Sequence, residues 1–272
     1  MDMNSLIVTE RLGPVNALKG LDIDPIGRLS LYYDALPLTH PRSIPLTLSD
    51  SRVTVVIPTK DEEGLIGEIV DTVRPYTDEI LVVDGHSRDR TREVAAEHGA
   101  RVILDAGRGK GEAVRRGLDQ TTTGIVVFID ADGSHEPRDI PKLVEPIRSG
   151  HADLVIASRQ TGGSDELHGT LEQFIRYIGS QLIMLAINYR WNVRFTDSQN
   201  GFRAIRRDVG LRLGLTSNLT TIEQEMEMKA IKQGFRVQEV SSHEFERRWG
   251  TSKVVVWKVW PAYVWSFLRN LF

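Results

Sequence analysis

No cysteine occurs anywhere in the 272-residue chain, so neither a disulfide framework nor a thiolate zinc centre can form, and the composition suits a reducing compartment. Charge of one sign does not dominate either: 34 bases face 37 acids, for a formal net charge of -3. That near balance excludes a dedicated nucleic-acid binder, which needs a cationic face to neutralise phosphates. The opening MDMNSLIVTERLG lacks a basic stretch followed by a long apolar run, which predicts no cleaved secretory signal and a catalytic part that faces the cytosol. A G-x-G-x-x-G fingerprint is missing after the first strong strand candidate, where TKDEEG stands instead, so a dinucleotide cradled on glycines is not expected.

What is present has the balance of a globular chain, with 40% apolar and 26% charged residues. Residues 1–50 carry scattered prolines (Pro14, Pro25, Pro37, Pro41, Pro45) without sustained periodicity, and read as an N-terminal accessory arm. From Val53 onward short Val/Ile runs alternate with amphipathic stretches: VTVVIP, EEGLIGEIVDTV, EILVVD, TREVAAEHG, RVIL, GEAVRRGLDQ, IVVFIDAD, DLVIAS. This β-α-β order, with strands apolar along their whole length, predicts an α/β fold around a mostly parallel sheet covered on both faces. Later come helix candidates at LEQFIRYIGSQLIMLAINY and TIEQEMEMKAIKQG, and a last strand candidate at RVQEVSSHEF. The catalytic domain is assigned to 51–253 and a separate amphipathic segment to 254–272.

Ligands in open α/β sheets bind beyond the carboxyl ends of the strands, so the residues after each apolar run carry the chemistry. After VTVVIP, Thr59 and Glu62 match a T-x-x-E capping box, a reading that stands beside a role in the site. After EILVVD, Asp84 is suited to accept from a base imino group or a ribose hydroxyl, or to cap a turn. RGKGEAVRRG opens a helix with small residues and Lys110, a geometry able to meet phosphate. The most informative run is IVVFIDADGSHEP, where a strand ends in Asp130, Ala131 and Asp132. Two carboxylates flanking one small residue repel unless a cation joins them. A hard divalent ion, Mg²⁺ or Mn²⁺, takes one or two carboxylates and completes its shell with water and substrate phosphates. His135 has no second histidine at ligand spacing, which favours a supporting role over a ligand role.

The ordered motifs VVIPTKDEE, EILVVDGHSRDRT, GRGKGEAVRRG, VVFIDADGSHEP, VIASR, TDSQNGFR and HEFERRWGTSK resemble the family 2 glycosyltransferases of the dolichol-phosphate mannose synthase type, over about residues 53 to 253. The resemblance implies a GT-A fold with a Rossmann-like sheet flanked by helices. It also implies a nucleotide-diphosphate sugar donor (GDP-mannose or UDP-glucose), a divalent metal, and inverting transfer of a hexose to a polyprenyl phosphate on the cytosolic membrane face. By the same resemblance Pro58, Glu62 and Asp84 fall beside the nucleoside, Lys110 and Arg159 near the donor, and Asp130 and Asp132 on the metal, with Asp132 the direct ligand. Arg203, Arg247 and Lys253 match bases that hold the acceptor phosphate, and Glu225 matches an acid on the acceptor side or is one charge of an amphipathic helix. Lys60 and Gly85 depart from the family pattern, where tyrosine and a second aspartate are common.

From Arg247 to Phe272 there are five bases and no acid, with Trp257, Trp260, Tyr263 and Trp265 interleaved. Lys258, Pro261, Arg269 and Asn270 interrupt the apolar run, so an interfacial helix is expected rather than a span of about 20 apolar residues. Packing on the protein's own core, on a membrane partner subunit or in a homo-oligomer is the alternative. Two other functions compete: a soluble-acceptor enzyme such as a glucosyl-3-phosphoglycerate synthase, and a non-catalytic nucleotide-sugar-binding subunit.

Overall fold

The computed structural model describes residues 21–23, 29–31, 51–165, 171–249 and 256–271. Two compact units divide the chain, Met1–Thr39 and His40–Phe272. In the first, β1 (Leu21–Ile23) and β2 (Leu29–Leu31) pair antiparallel, with Leu21 opposite Leu31.

The second unit begins with β3 (Val53–Thr59), α1 (Ile66–Val73), β4 (Glu79–Asp84), α2 (Thr91–Glu97), β5 (Arg101–Leu104), α3 (Lys110–Gln120) and β6 (Ile125–Phe128). It continues through α4 (Ile140–Arg148), β7 (Leu154–Ser158), α5 (Arg159–Gly162), α6 (Leu171–Trp191), β8 (Arg203–Arg206), α7 (Arg207–Arg212), α8 (Ile222–Lys232), β9 (Val237–Ser241) and α9 (Val256–Leu271). Seven strands form one sheet in the order β5-β4-β3-β6-β8-β7-β9. Only β8 runs against its neighbours β6 and β7. The expected mostly parallel, helix-flanked α/β architecture is therefore present.

The apolar runs are buried on both faces because alternate residues feed two cores. Val55, Ile57, Val82 and Val127 meet Ile66, Leu143 and Phe202 on one side. Val56, Leu81, Val126 and Phe128 meet Val114, Leu118, Ile222 and Met226 on the other. A third cluster joins α6, α8 and α9 through Ile183, Met184, Ile187 and Met228, with Trp260, Tyr263 and Phe267 against it.

One local expectation is corrected. Thr59 ends β3 and α1 starts only at Ile66, with Leu65 at the N-cap and no side-chain cap bond, so Thr59 and Glu62 form no capping box. RAIR, with arginine at both ends, is a fully buried strand, because partners on neighbouring elements compensate each guanidinium. Arg206 Nη1 lies 3.1 Å from Asp153 Oδ1 and Nη2 lies 3.0 Å from Asp208 Oδ2.

Candidate active site

A cavity of about 510 Å³ opens beyond the carboxyl ends of β3, β4, β5, β6 and β7. Its floor is an ion cluster. Lys110, the first residue of α3, places Nζ 2.7 Å from Asp130 Oδ1 and 2.9 Å from Glu223 Oε1. Burial pulls the ammonium pKa down, but the two carboxylates outweigh it and hold Lys110 well above the usual range. Asp130 moves the opposite way: burial raises its pKa, while Lys110 and His135 bring it well below the carboxylate range. A Cβ at Gly201 would lie 2.7 Å from both Lys110 Nζ and Asp130 Oδ2, so only glycine leaves room for this pair. His135 supports the cluster from below: its ring stacks on Phe202 at 5.2 Å and its Nε2 lies 3.6 Å from Asp130 Oδ2.

Asp132 is held differently. Its Oδ1 accepts from the Ser134 N–H at 3.0 Å and the Ser134 hydroxyl at 2.7 Å, while Oδ2 meets Arg247 Nη2 at 2.7 Å. Arg159 lines the cavity with its fork filled: Nε and Nη2 donate to Asp197 at 2.6 and 2.9 Å, and Nη1 to Glu244 at 3.3 Å. Pro58 and Glu62 also line the wall. Thus Pro58, Glu62, Lys110, Asp130, Asp132, Arg159 and Arg247 converge on one cavity, as the motif order implied.

Three expected site residues do not reach it. Asp84 is fully buried and directs its oxygens to Ser87, accepting its N–H at 2.9 Å and its hydroxyl, with Arg92 Nε at 3.8 Å. Arg203 is 1% exposed and donates to main-chain carbonyls, from Nε to Asn200 at 3.0 Å and from Nη1 to Glu223 at 2.8 Å. Its guanidinium ties loop to helix and does not present itself to an acceptor phosphate. Glu225 caps the loop before α8, accepting from the Thr216 and Ser217 N–H groups at 3.0 and 2.7 Å and pairing with Lys229 at 2.7 Å. The α8 acid on the cavity is Glu223, two residues earlier. Lys253 lies outside the described residues, as do the side chains of Trp257 and Lys258.

Residues not assigned to the site from the sequence complete the walls: Asp105, Glu223 and Glu244 among the acids, and Tyr177, Trp260 and Tyr263, the last two read from the sequence as tail aromatics, at the α6–α9 side. The Tyr263 hydroxyl donates to Thr220 O at 3.1 Å, and burial reinforced by Glu223 pushes its pKa up to about 12. Both readings of the tail have a counterpart in α9. Tyr263 and Phe267 pack inward, whereas Trp265 and Leu268 are exposed. Among the described residues no helix is long and apolar enough to cross a membrane.

The donor set fits a divalent cation of limited protein ligation. Among the described residues no three His, Asp or Glu side chains converge as a cage. Among the described residues the cavity nonetheless carries six carboxylates (Glu62, Asp105, Asp130, Asp132, Glu223, Glu244) against four bases (Lys60, Lys110, Arg159, Arg247). Such a surface repels a diphosphate unless a cation accompanies it. Asp132 Oδ2 is the carboxylate oxygen suited to take one, because its present partner is a side chain able to swing away.

A profile described as Glycosyl transferase family 2 matches residues 54–212. Glycosyltransferase AglJ of Haloferax volcanii is 33% identical over 200 residues, covering 72% of this chain and 63% of AglJ. The dolichyl-phosphate hexose transferase of the same organism is 30% identical, covering 69% of this chain and 80% of that protein. Among solved structures, glucosyl-3-phosphoglycerate synthase from Mycobacterium tuberculosis, crystallised with Mn²⁺, UDP and glucosyl-3-phosphoglycerate, superposes with a TM-score of 0.66 at 22% identity. It covers 81% of this chain and 80% of that one. The chain thus spans less than two thirds of AglJ, while sharing the fold of the synthase.

Proposed function

The chain belongs to glycosyl transferase family 2, and we propose that it transfers a hexose from a nucleotide-diphosphate sugar to a polyprenyl, dolichyl-type phosphate at the cytosolic membrane face, with inversion at the anomeric carbon. The observation that carries the acceptor reading is an exposed apolar face beside the cavity mouth. On α6, Ile178, Leu182, Leu185 and Tyr189 recur at helical spacing and are all exposed, Tyr189 to 90%. On α9, which packs against α6, Trp265 and Leu268 are exposed as well. Tyr177, Ser180, Trp260 and Tyr263 of the same two helices line the cavity, so a lipid lying along this face would bring its phosphate to the mouth. Charge supports the reading: residues 173–196 hold three bases and no acid, and beyond Arg247 and Arg248, which pair with Asp132 and Glu68, residues 249–272 hold three bases and no acid. Such tracts favour anionic lipid, on the order of 1 kcal/mol for each base near the surface. The dolichyl-phosphate hexose transferase relative points the same way.

A phosphate acceptor is already an anion at neutral pH, so the site needs positioning and charge control more than a strong base. Asp132 would hold a Mg²⁺ or Mn²⁺ ion through Oδ2, which when bound neutralises the departing nucleoside diphosphate. Lys110 fixes Asp130 and Glu223 at the floor; Pro58 and Glu62 wall the nucleoside side; Arg159 keeps α5 against Asp197 and Glu244. Arg247, once displaced from Asp132, is within the cavity to receive phosphate oxygens bidentately, and Lys253 is proposed to assist it.

The deciding experiment compares the protein with its Leu182→Glu, Leu185→Glu, Trp265→Glu variant. Pelleting with anionic vesicles and transfer to long-chain polyprenyl phosphate should both fall at least about tenfold, because charge on the apolar face opposes interfacial burial. Donor binding and folding should persist. Equal pelleting, or turnover of a water-soluble acceptor such as 3-phosphoglycerate in place of lipid phosphate, refutes the reading. Absence of both sugar transfer and donor hydrolysis would favour a non-catalytic binding subunit.

A further inference from the structure

The far end of the cavity is formed where β3, β4 and β5 finish side by side, with Thr59 opposite Asp84 and Asp84 opposite Leu104. Asp105 follows directly, its N–H donating to Asp84 O at 3.1 Å. The Asp105 side chain is only 2% exposed, yet it lines the cavity. Its Oδ1 accepts the Gly107 N–H at 2.7 Å. Its Oδ2 faces Gly85, where an added Cβ would stand in van der Waals contact at 3.7 Å, and among the described residues no hydrogen bond is made to this oxygen. His86 steadies the segment through Nε2, 2.9 Å from the Asp105 carbonyl. Burial, helped by the negative charge of Glu112 and Asp84, pushes the Asp105 pKa upward, which marks a carboxylate short of hydrogen-bond donors.

The ligand group that meets this oxygen must be an N–H or O–H, since a carboxylate repels phosphate. Its position in the sheet says which one. The order β5-β4-β3-β6 separates Asp105 from the Asp130–Asp132 end of β6 by three strand spacings, roughly 14 Å. With the diphosphate at Asp132, a ribose falls between, and the outer edge of the base is the part of a nucleoside diphosphate that reaches β5. At that edge cytosine and adenine each set an amino donor beside an unprotonated ring nitrogen, whose lone pair the carboxylate repels. Guanine presents two adjacent donors suited to a carboxylate with both oxygens open, but Oδ1 is already engaged by Gly107. Uracil presents a single imino N–H, which matches the single open oxygen.

We infer that Asp105, not Asp84, reads the nucleobase of the donor, and that the donor is a uridine-diphosphate sugar. The inference rests on the nucleotide-sugar reading above and is independent of the acceptor. It is tested by calorimetric titration of the whole chain, in Mn²⁺, with UDP, GDP, CDP, ADP and N3-methyl-UDP. UDP should bind at least about tenfold tighter than the other natural nucleotides, and N3-methyl-UDP about tenfold or more weaker than UDP, the range expected for one hydrogen bond to a charged group. D105N, which turns a donor toward the base, should lose about tenfold or more for UDP while CDP changes little, with unaltered thermal unfolding in the absence of nucleotide. N3-methyl-UDP binding as well as UDP, a preference for GDP, or equal losses for all nucleotides in D105N overturns the inference. Should D105N fail to fold, the methylated nucleotide decides on the unaltered protein. UDP binding as expected with no lipid phosphate glycosylated would sink the acceptor reading alone.

Discussion

Arg247 closes Asp132: its Nη2 lies 2.7 Å from Oδ2, the one oxygen of that carboxylate not held by Ser134. On the proposed metal reading, a base of the chain itself occupies the position that Asp132 would offer a divalent cation, and the two would exchange when a nucleoside diphosphate binds with its cation. A ligand shifts such an equilibrium only by its differential affinity, and the coupling between cation and nucleotide is reciprocal.

Two substitutions probe this exchange. Asp132→Asn should abolish the Mn²⁺ dependence of nucleotide binding and lower sugar transfer at least about 100-fold, a loss of several kcal/mol of charge stabilisation. Arg247→Gln should raise the affinity of the nucleotide-free protein for Mn²⁺ about tenfold, since a cation no longer displaces an ion pair. Electron paramagnetic resonance of free Mn²⁺ measures the cation affinity of both variants with and without nucleotide, and a transfer assay measures the loss of turnover. Unchanged Mn²⁺ affinity in the arginine variant would count against the exchange.

Arg203→Met should destabilise the fold by about 3 kcal/mol or more, because the carbonyls of Asn200 and Glu223 lose their donor in a buried setting. Urea unfolding reads the loss. The folded fraction should keep its nucleotide affinity, and a loss of acceptor binding without loss of stability would return Arg203 to the acceptor side.

Glu227 makes stability depend on pH in a predictable direction. It is fully buried, neither carboxylate oxygen has a hydrogen-bond partner, and burial raises its pKa well above the ordinary 4.5. Arg203 opposes that rise, while Glu239 and Asp197 add to it. The folded state therefore holds a proton that the unfolded chain releases. This contribution is fully present below about pH 4.5 and is lost as pH rises through the folded value. Glu227→Gln mimics the protonated acid, so it should match the parent near pH 4 and exceed it increasingly toward pH 8. Parallel stability profiles from denaturant titrations would contradict the buried protonated state.

Gly179→Val tests the wall between α6 and α9. Any Cβ at Gly179 would overlap the Trp260 indole, which lines the cavity. The ring must move, so the variant should show shifted tryptophan fluorescence and a raised KM for the acceptor, with the donor Kd little changed. An equal effect on both substrates would place Trp260 outside the acceptor side.

Strand ends and helix registers were legible from the chain alone because they depend on short-range periodicity. Val/Ile runs buried on both faces mark parallel strands, and the acids and bases just beyond them mark the cavity rim. Asp130, Asp132, Lys110 and Arg159 could be found this way, as their backbone position already brings them to one end of the sheet. What the tertiary structure alone decided was which charge meets which. Glu223 and Glu225 sit two residues apart on one buried helix, and their 200° separation sends the first to Lys110 and the second to the loop at Thr216. Asp84 and Asp105 end adjacent strands, and only the Ser87 turn over one and the bare Gly85 beside the other determine which faces a ligand. Arg203 looked like a phosphate base until β8 paired antiparallel inside the sheet and buried its guanidinium among carbonyls. A side chain's charge is local to the sequence, whereas its availability depends on partners dozens of residues away, and those partners meet only when the chain has folded.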